Sequence, residues 1–256
     1  RDQTVKAYLG QLRNFFFFIL PRDPHEASNR DLEDYLRQLN TTKKSRSTID
    51  QAINALRFLW VEVFGQKFPI GELERPQKKE RTPVLLTLEE VRKIALSAEN
   101  LKHRLMIELA YSAGLRVSEL VVVLVKDINL KTNNLFVKGQ GERRKGRTTI
   151  FSRSLSDAIL RQIGKKEPGD YLFPSERGGK LTTRAFAKYF KAALETSGVG
   201  KNATPHSLRH SFAAFLLQHG AKVPTVQNLM GHSRRESTNF YAKMANPDSE
   251  TTKKSA

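Results

Sequence analysis

The stretch Thr204–Ala213, TPHSLRHSFA, predicts a helix that begins among basic side chains. Thr204 is a residue type that caps helices through its hydroxyl, and Pro205 suits the first helical position, where no backbone donor is needed. Apolar residues then recur at the spacing of one buried helix face, namely Leu208, Phe212, Phe215 and Leu216. We therefore expect a helix that begins near residue 205 and packs into a core.

Three basic side chains gather on a second face of this helix. His206, Arg209 and His210 are three and four residues apart and lie over the free N–H groups of the first turn. A helix N-terminus favours anions, and a guanidinium fork with an imidazole donor makes a site suited to phosphate. A capped surface helix with solvated basic residues is the alternative, and this stretch alone does not separate the two.

The overall charge favours a polyanionic partner. The chain of 256 residues carries 44 lysine and arginine residues against 26 aspartate and glutamate residues, a formal charge of +18. Such an excess indicates nucleic acid first. Charge that serves only solubility tends to collect in tails, whereas here it is spread through patterned sequence.

The composition also excludes several classes of site. The chain has no cysteine, so disulfides and thiolate metal sites are excluded, and a reducing cytoplasm is the expected setting. No apolar run approaches the roughly 20 residues that span a bilayer, and the sequence shows no signal peptide. We expect no membrane partner, no metal and no other cofactor.

Apolar spacing divides the chain into two domains joined by a basic linker. Residues 1–72 are predicted to form a small all-helical domain, in which the phenylalanines at 15–18 point around a helix and pack mainly in the core. Residues 73–84 lack periodicity and contain two prolines, which predicts a linker along a negative partner. Its candidate DNA contacts are Lys78, Lys79 and Arg81.

The second domain, residues 85–256, is predicted to be mainly helical with one small β-hairpin. It begins at Thr87 and Glu90, which have the spacing of a capping box. Strand-like runs at 133–139 and 147–151 flank a basic turn that is bounded by glycines. Helices are predicted near 88–97, 101–112, 118–124, 153–163, 182–196, 206–218, 224–230 and 237–244.

Chemistry-bearing residues follow one another along this domain. Gly114 is predicted to end one helix and Ser118 to cap the next, which leaves the guanidinium of Arg116 in the connection, pointing outward. Gly231 is predicted to close a later helix, and a histidine and a tyrosine follow it. The hairpin presents further candidate DNA contacts, Arg143, Arg144, Lys145 and Arg147, and a candidate proton donor, Lys138.

The order arginine, lysine, His-x-x-Arg, histidine, tyrosine resembles the tyrosine recombinase and integrase family, including the Xer-type recombinases. The resemblance is carried by GLRVSEL at 114–120, PHSLRHSFA at 205–213, LMGHS at 229–233 and Tyr241, nine residues beyond His232. RTPVLLTLEEV at 81–91 is similar to the family's domain junction. The resemblance covers nearly the whole chain and implies a clamp on double-stranded DNA, with a helical SAM-like core-binding domain and a mixed α/β catalytic domain.

The resemblance also implies a reaction and a set of catalytic residues. Tyr241 would attack a backbone phosphate, form a 3′-phosphotyrosine and release a 5′-hydroxyl, without a cofactor. Arg116 and Arg209 would hold the non-bridging oxygens. His232 would add a donor and His206 could accept the tyrosine proton, while a lysine protonates the leaving oxygen. His210 is given no role in the chemistry, and a packing or supporting position is expected for it.

The lysine is where this sequence departs from the family. The family usually carries GKG at the hairpin, and an ungapped reading places Gln140 of GQG at the lysine position. Lys138 lies two residues earlier on the same strand face and would supply the lysine after a small register change. Lys145, across the turn, is the alternative.

Two functions are alternatives to recombination, and the resemblance also implies an oligomeric state. A type IB topoisomerase shares the arginine, lysine and tyrosine chemistry, and a non-catalytic sequence-specific DNA-binding factor would need the charge but not the tyrosine. The family normally forms a homo-tetramer on two synapsed sites and exchanges a C-terminal segment. The residues after the tyrosine helix, 245–256, are polar and few, so a shortened or different exchange segment is expected.

Overall fold

The computed structural model describes residues 2–42, 44–68, 82–139 and 146–231, and Tyr241. The chain divides into two compact units, Arg1–Arg81 and Thr82–Ala256. Within the described ranges, none of the helices combines the length and apolar character that crossing a bilayer requires.

The first unit is helical, as its apolar spacing predicts. It consists of α1 (Asp2–Ile19), α2 (Asn29–Thr41) and α3 (Arg46–Phe58), and α3 continues into a π-helical turn, Leu59–Val63. Ser28 starts α2, where its hydroxyl accepts a hydrogen bond from the Asp31 N–H at 3.2 Å and its own N–H donates to the Asp31 carboxylate at 2.9 Å. These two bonds satisfy groups that a helix start would otherwise leave unpaired.

The phenylalanine run serves mainly the core of this unit. Phe15 is fully buried and meets Tyr35 and Trp60 edge-on, with ring centroids 5.3 and 5.7 Å apart. Phe16 and Phe18 pack against the same core. Phe17 departs from the expectation, because its ring is 64% exposed. Consecutive helical residues point around the helix, so a run of four cannot be buried together.

The second unit is mainly helical with a three-stranded antiparallel sheet. Its helices are α4 (Leu88–Leu96), α5 (Leu101–Ser112), α6 (Val117–Leu120), α7 (Ser156–Ile163), α8 (Thr183–Thr196), α9 (Pro205–Gln218) and α10 (Val223–Met230). Its strands are β1 (Ile128–Asn129), β2 (Asn134–Val137) and β3 (Arg147–Ile150), in that order across the sheet. The predicted helices and hairpin are confirmed here, while β1 was not predicted and α6 is shorter than expected. The last predicted helix lies outside the described residues except for Tyr241, which is helical.

Helix α5 lies in the core of this unit and packs against α4, α8 and α9. Leu105, Met106, Ile107, Leu109 and Ala110 are all at least 97% buried, so α5 is buried on nearly every side. The predicted capping box is present, with the Thr87 N–H donating to Glu90 at 2.7 Å and the Glu90 N–H to the Thr87 hydroxyl at 3.2 Å.

Helix α9 begins at the predicted place. Thr204 precedes it, and the Thr204 N–H donates to the Ser207 hydroxyl at 3.1 Å. Farther along, the buried Ser211 hydroxyl accepts from the Leu86 N–H at 2.8 Å, which fixes α9 to the segment before α4. Of the predicted stripe, Leu208 and Phe212 are buried, whereas Phe215 and Leu216 are half-buried.

Candidate active site

A buried carboxylate, Glu119 of α6, organises three arginines. Arg116 donates to both of its oxygens, from the backbone N–H to Oε2 and from Nη1 to Oε1, each at 2.8 Å. Arg147 of β3 forms a bidentate pair with it, Nη1 and Nη2 each donating to one carboxylate oxygen at 2.8 Å. Arg209 of α9 approaches the carboxylate at 3.6 Å. Glu119 thereby links a loop, a strand and a helix that are distant in the chain.

The electrostatics of this cluster leave an excess of positive charge. Burial alone would raise the pKa of Glu119, but hydrogen bonds and charge from Arg147 and Arg116 lower that pKa to about 2. Burial lowers the pKa of Arg209 to about 9, with Arg116 and Arg147 acting in the same direction and Glu119 against it. Glu119 and Arg209 are therefore both charged at neutral pH. Three guanidinium groups face a single carboxylate, which suits the binding of an anion such as phosphate.

The same three arginines donate hydrogen bonds to the carbonyl groups at the end of α10. The Arg147 Nε donates to the Leu229 carbonyl at 2.8 Å, the Arg209 Nη2 donates to the Met230 carbonyl, and the Arg116 Nη2 donates to the Gly231 carbonyl at 3.3 Å. The last carbonyls of a helix have no partner within the helix, and they lie at the negative end of its dipole. The C-terminus of α10 therefore fixes the positions of all three guanidinium groups.

Gly231 is required where it stands. It closes α10 in the left-handed conformation, with φ +61°, as the sequence predicts. A Cβ at this position would lie 2.7 Å from Cδ of Arg147, closer than Cβ contacts are found. Any other residue would strain the backbone and displace the Arg147 side chain from Glu119.

Tyr241 lies at the edge of this cluster and contacts α9. Its side chain is 7% exposed and packs in a small core with Phe212 and Met230. The Tyr241 hydroxyl lies 2.7 Å from Nδ1 of His210. Burial raises the pKa of Tyr241, and the charges of Arg209 and Arg116 oppose that rise. The hydroxyl is thus close enough to two arginines of the cluster to feel their charge.

The structure brings three of the predicted site residues together. Arg116, Arg209 and Tyr241 meet as described. His206, in the first turn of α9, is exposed, and Lys138, one residue beyond β2, is also exposed. The remaining predicted residues lie outside the described part of the chain: His232, Lys78, Lys79, Arg81, Arg143, Arg144 and Lys145.

Two expectations are corrected. Arg116, not Ser118, is the N-cap of α6. Glu119 lies three residues later, where its carboxylate accepts from the Arg116 backbone N–H. The guanidinium of Arg116 turns inward because it donates to the same carboxylate. Arg147 was grouped with the hairpin-tip residues that face DNA. Its side chain is only 14% exposed, and its guanidinium is bonded to Glu119 and to α10, because the β3 residue paired with buried Val137 points inward.

Sequence reasoning missed Glu119 and the contact of His210. Glu119 stands three residues after Arg116, and this capping-box spacing was a usable signal. His210 stands next to Arg209 and one helical turn after His206, but nothing local indicates that its ring meets residue 241. Among the described residues, no group of three or more histidine or acidic side chains is placed to hold a metal ion.

Comparison with known proteins identifies the family. The model described as "Phage integrase family" matches residues 85–247, and the model of the "Phage integrase, N-terminal SAM-like domain" matches residues 1–70. The chain belongs to the phage integrase family of tyrosine recombinases. It is an enzyme that cleaves and rejoins DNA strands in site-specific recombination.

Individual relatives agree with this assignment. The chain is 31% identical to a tyrosine recombinase XerD of Oceanobacillus iheyensis, over 94% of this chain and 87% of that protein. An integrase/recombinase of Escherichia coli is also 31% identical, over 93% of this chain and 83% of the relative. Among solved structures, the fold is similar to the Tn1549 transposon integrase in complex with transposon right end DNA. The TM-score is 0.78 at 19% identity, over 100% of this chain and 95% of that one.

Proposed function

We propose that the recombinase cuts DNA by attack of Tyr241 on a backbone phosphate, forming a 3′-phosphotyrosyl link and releasing a 5′-hydroxyl. The observation that carries this proposal is the position of the Tyr241 hydroxyl, which is buried beside the arginine cluster and feels the charge of Arg209 and Arg116. A phosphate bound by those guanidinium groups would place its phosphorus near the hydroxyl. The link conserves the energy of the broken bond, so strand rejoining needs no cofactor.

Arg116 and Arg209 are the residues that bind the phosphate oxygens in this proposal. A guanidinium has five N–H donors. Bonds to other described residues use two of these donors in Arg116 and two in Arg209, which leaves the remaining donors for a ligand. His232 would add a further donor. Preorganised donors of this kind stabilise the charge that develops on a phosphoryl group in the transition state.

Arg147 has a different role in this proposal from the one its sequence position indicates. Its bonds to Glu119 and Leu229 use three of its five donors, one from each nitrogen. We assign it to holding Glu119, and hence Arg116, in place. The DNA-facing set is then Lys78, Lys79, Arg81, Arg143, Arg144 and Lys145.

The lysine that protonates the leaving 5′-oxygen is Lys138 or Lys145. Lys138 is exposed, and in the described part of the chain no ion pair ties it to another residue, so it is available to a DNA strand. The chemistry requires an ammonium group rather than a guanidinium, because arginine does not give up its proton.

The organisation of the whole protein completes the proposal. Residues 1–72 would be the core-binding domain, residues 73–84 the linker, and residues 85–256 the catalytic domain. Together they would close on double-stranded DNA, and four copies would act on two synapsed sites. The binding of DNA in this proposal is supported by a solved structure of similar fold, with a TM-score of 0.72, which is described as a lambda integrase dimer bound to a core site.

The test is covalent capture of DNA. A binding site is first selected from random-sequence DNA, and duplexes that carry it are nicked at successive positions so that the released fragment diffuses away. We expect wild-type protein to accumulate a covalent adduct with one of these duplexes and Tyr241→Phe to form none, while its affinity for the intact duplex stays within about twofold. Adduct formation by Tyr241→Phe at the wild-type rate would show that another residue is the nucleophile.

A further inference from the structure

The contact between His210 and Tyr241 gives the histidine a position that the mechanism above does not use. Nδ1 of His210 lies 2.7 Å from the Tyr241 hydroxyl, and the two rings are 5.5 Å apart between centroids, inclined at 39°. His210 is half-buried on α9, directly after Arg209, while Tyr241 is almost completely buried. The contact joins two residues 31 positions apart, so it is set by tertiary structure.

A tyrosine in this environment needs a proton acceptor. Burial raises the pKa of Tyr241 above its ordinary value of 10.0, even with Arg209 and Arg116 opposing the rise. The hydroxyl is therefore protonated at neutral pH. A protonated phenol is a weak nucleophile, and a base at hydrogen-bond distance activates it.

The charges around His210 keep it able to accept that proton. Burial lowers the pKa of His210 below its ordinary value of 6.5, and His206 and Arg209 on its own helix act in the same direction. Beyond α9, and within residues 82–139 and 146–231, Arg116 acts on the tyrosine, while Glu119 and Arg147 are paired with each other. His210 is therefore neutral at pH 7, and one ring nitrogen is an acceptor.

His206 is placed less favourably for the same task. It lies one helical turn before His210 and is exposed, whereas Nδ1 of His210 lies at hydrogen-bond distance from the Tyr241 hydroxyl. A proton acceptor must lie within hydrogen-bond reach of the proton that it takes. In this structure His210 meets that condition.

We propose that His210 is a catalytic residue that accepts the Tyr241 proton on Nδ1 as the phosphotyrosyl bond forms. The inference rests on the proposed role of Tyr241 as the nucleophile. In the cleavage step the Tyr241 oxygen bonds to phosphorus and the bond from phosphorus to the 5′-oxygen breaks. The tyrosine proton moves to His210, and the 5′-oxygen takes a proton from the hairpin lysine. In the rejoining step His210 returns its proton to the departing tyrosine.

The kinetic test compares two substitutions that differ in basicity. His210→Ala removes the hydrogen bond, whereas His210→Gln offers an oxygen that can accept one but cannot take a proton at neutral pH. Single-turnover adduct formation on the nicked duplex at pH 7 should slow by about 10² to 10⁴ in both variants. His219→Gln is the matched control, because His219 follows the same helix and its Nδ1 hydrogen-bonds to the Phe215 carbonyl, one turn earlier. It should react at the wild-type rate.

The pH dependence separates proton transfer from positioning. In wild type the rate should fall as pH drops through the pKa of His210, which lies below 6.5, because the imidazolium cannot accept a proton. This acidic limb should be absent from His210→Gln. If His210→Gln formed the adduct at the wild-type rate while Tyr241→Phe was inactive, the inference about His210 would be overturned, but Tyr241 would still be the nucleophile. Adduct formation by Tyr241→Phe would instead show that Tyr241 is not the nucleophile, and the inference about His210 would fail with it.

A second measurement needs no DNA. Histidine NMR titration, with His210 assigned by its absence in His210→Gln, gives the pKa of the ring in wild type and in Tyr241→Phe. If the hydroxyl donates to Nδ1, it stabilises the neutral ring, so its removal should raise the pKa of His210. A fall in that pKa would mean that the ring donates to the hydroxyl, which would overturn the inference.

Discussion

At the scale of single residues, Glu119 determines where three positive charges stand. Arg116, Arg147 and Arg209 would repel one another at these distances without a shared counter-charge. Removing one partner of a buried ion pair leaves an uncompensated charge, which costs more than the pair contributes. The carboxylate therefore keeps the site assembled before any phosphate arrives.

The substitution Glu119→Gln tests this role. The pKa of Glu119 is about 2 in the folded state against an ordinary 4.5, so its ionisation stabilises the fold by about 3 kcal/mol above pH 4.5, and this contribution is lost as pH falls towards 2. We expect the free energy of unfolding of Glu119→Gln to be about 3 kcal/mol lower than that of wild type at pH 7, and this difference to shrink below pH 4.5. Urea unfolding followed by far-UV circular dichroism measures this, because the single tryptophan, Trp60, lies in the other unit.

The control for that substitution is Glu195→Gln on α8. Glu195 pairs with Lys191 at 3.5 Å, but both side chains are mostly exposed. Exposed pairs contribute little to stability, so this variant should unfold like wild type at every pH. If the loss of stability in Glu119→Gln relative to wild type did not change with pH, this would contradict the electrostatic explanation.

The sequence predicted those site residues that stand in motifs resembling a known family. Arg116, Arg209 and Tyr241 were predicted as site residues because GLRVSEL, PHSLRHSFA and a tyrosine nine residues after His232 resemble the motifs of the recombinases, and the structure brings these three residues together. The contacts of Arg147 and His210 were not, because their partners lie 28 and 31 residues away and depend on how β3, α9 and the chain beyond α10 pack.

At the scale of elements, the site depends on how closely α9 approaches the turn after α5. Gly114 ends that turn with φ +59°, and a Cβ there would lie 2.3 Å from Cδ1 of Phe212. The Gly114 carbonyl also accepts a hydrogen bond from Nη1 of Arg209 at 2.6 Å. One glycine thus allows both the turn and the close packing that positions Arg209.

The substitutions Gly114→Ala and Gly198→Ala separate the strain of a positive φ from the steric contact with Phe212. Gly198 also has a positive φ, +69°, but nothing lies within 4 Å of a Cβ built there. Gly198→Ala should cost only the backbone strain, about 1 kcal/mol, whereas Gly114→Ala should cost about 3 kcal/mol because Phe212 must also move. Urea unfolding measures both, and equal losses would mean that Phe212 moves aside freely.

Elements were predicted well where periodicity is long and poorly where it is short. The helices α4, α5 and α8 begin and end within about a residue of the expected positions, because capping residues and apolar stripes mark them. β1 has two residues and α6 has four, too few for any period to show. α6 ends early because Val121 and Val123, both buried, leave the helix to enter the core.

At the scale of the whole molecule, the excess of basic residues and the family match indicate the same partner. The two family models cover residues 1–70 and 85–247, and the basic stretch that we assign as a linker lies between them. A charge of +18 acts at long range and without regard to sequence, so it contributes affinity, whereas the target sequence is set by contacts that composition does not reveal.

The salt dependence of DNA binding tests this view of the whole molecule. A protein that closes on a duplex with about 6 to 10 phosphate contacts should lose about 10³-fold or more in affinity between 50 and 200 mM salt, because each contact releases counterions. The triple substitution of Lys78, Lys79 and Arg81 by alanine should reduce the slope of log K against log salt by about 0.9 for each phosphate that the protein no longer neutralises. Lys191→Ala, which removes an exposed charge already paired with Glu195, should leave the slope unchanged. If the triple variant kept the wild-type slope, the stretch between the two family matches would not follow the phosphate backbone. The charge that holds the duplex would then have to come from residues 1–72 and 85–256.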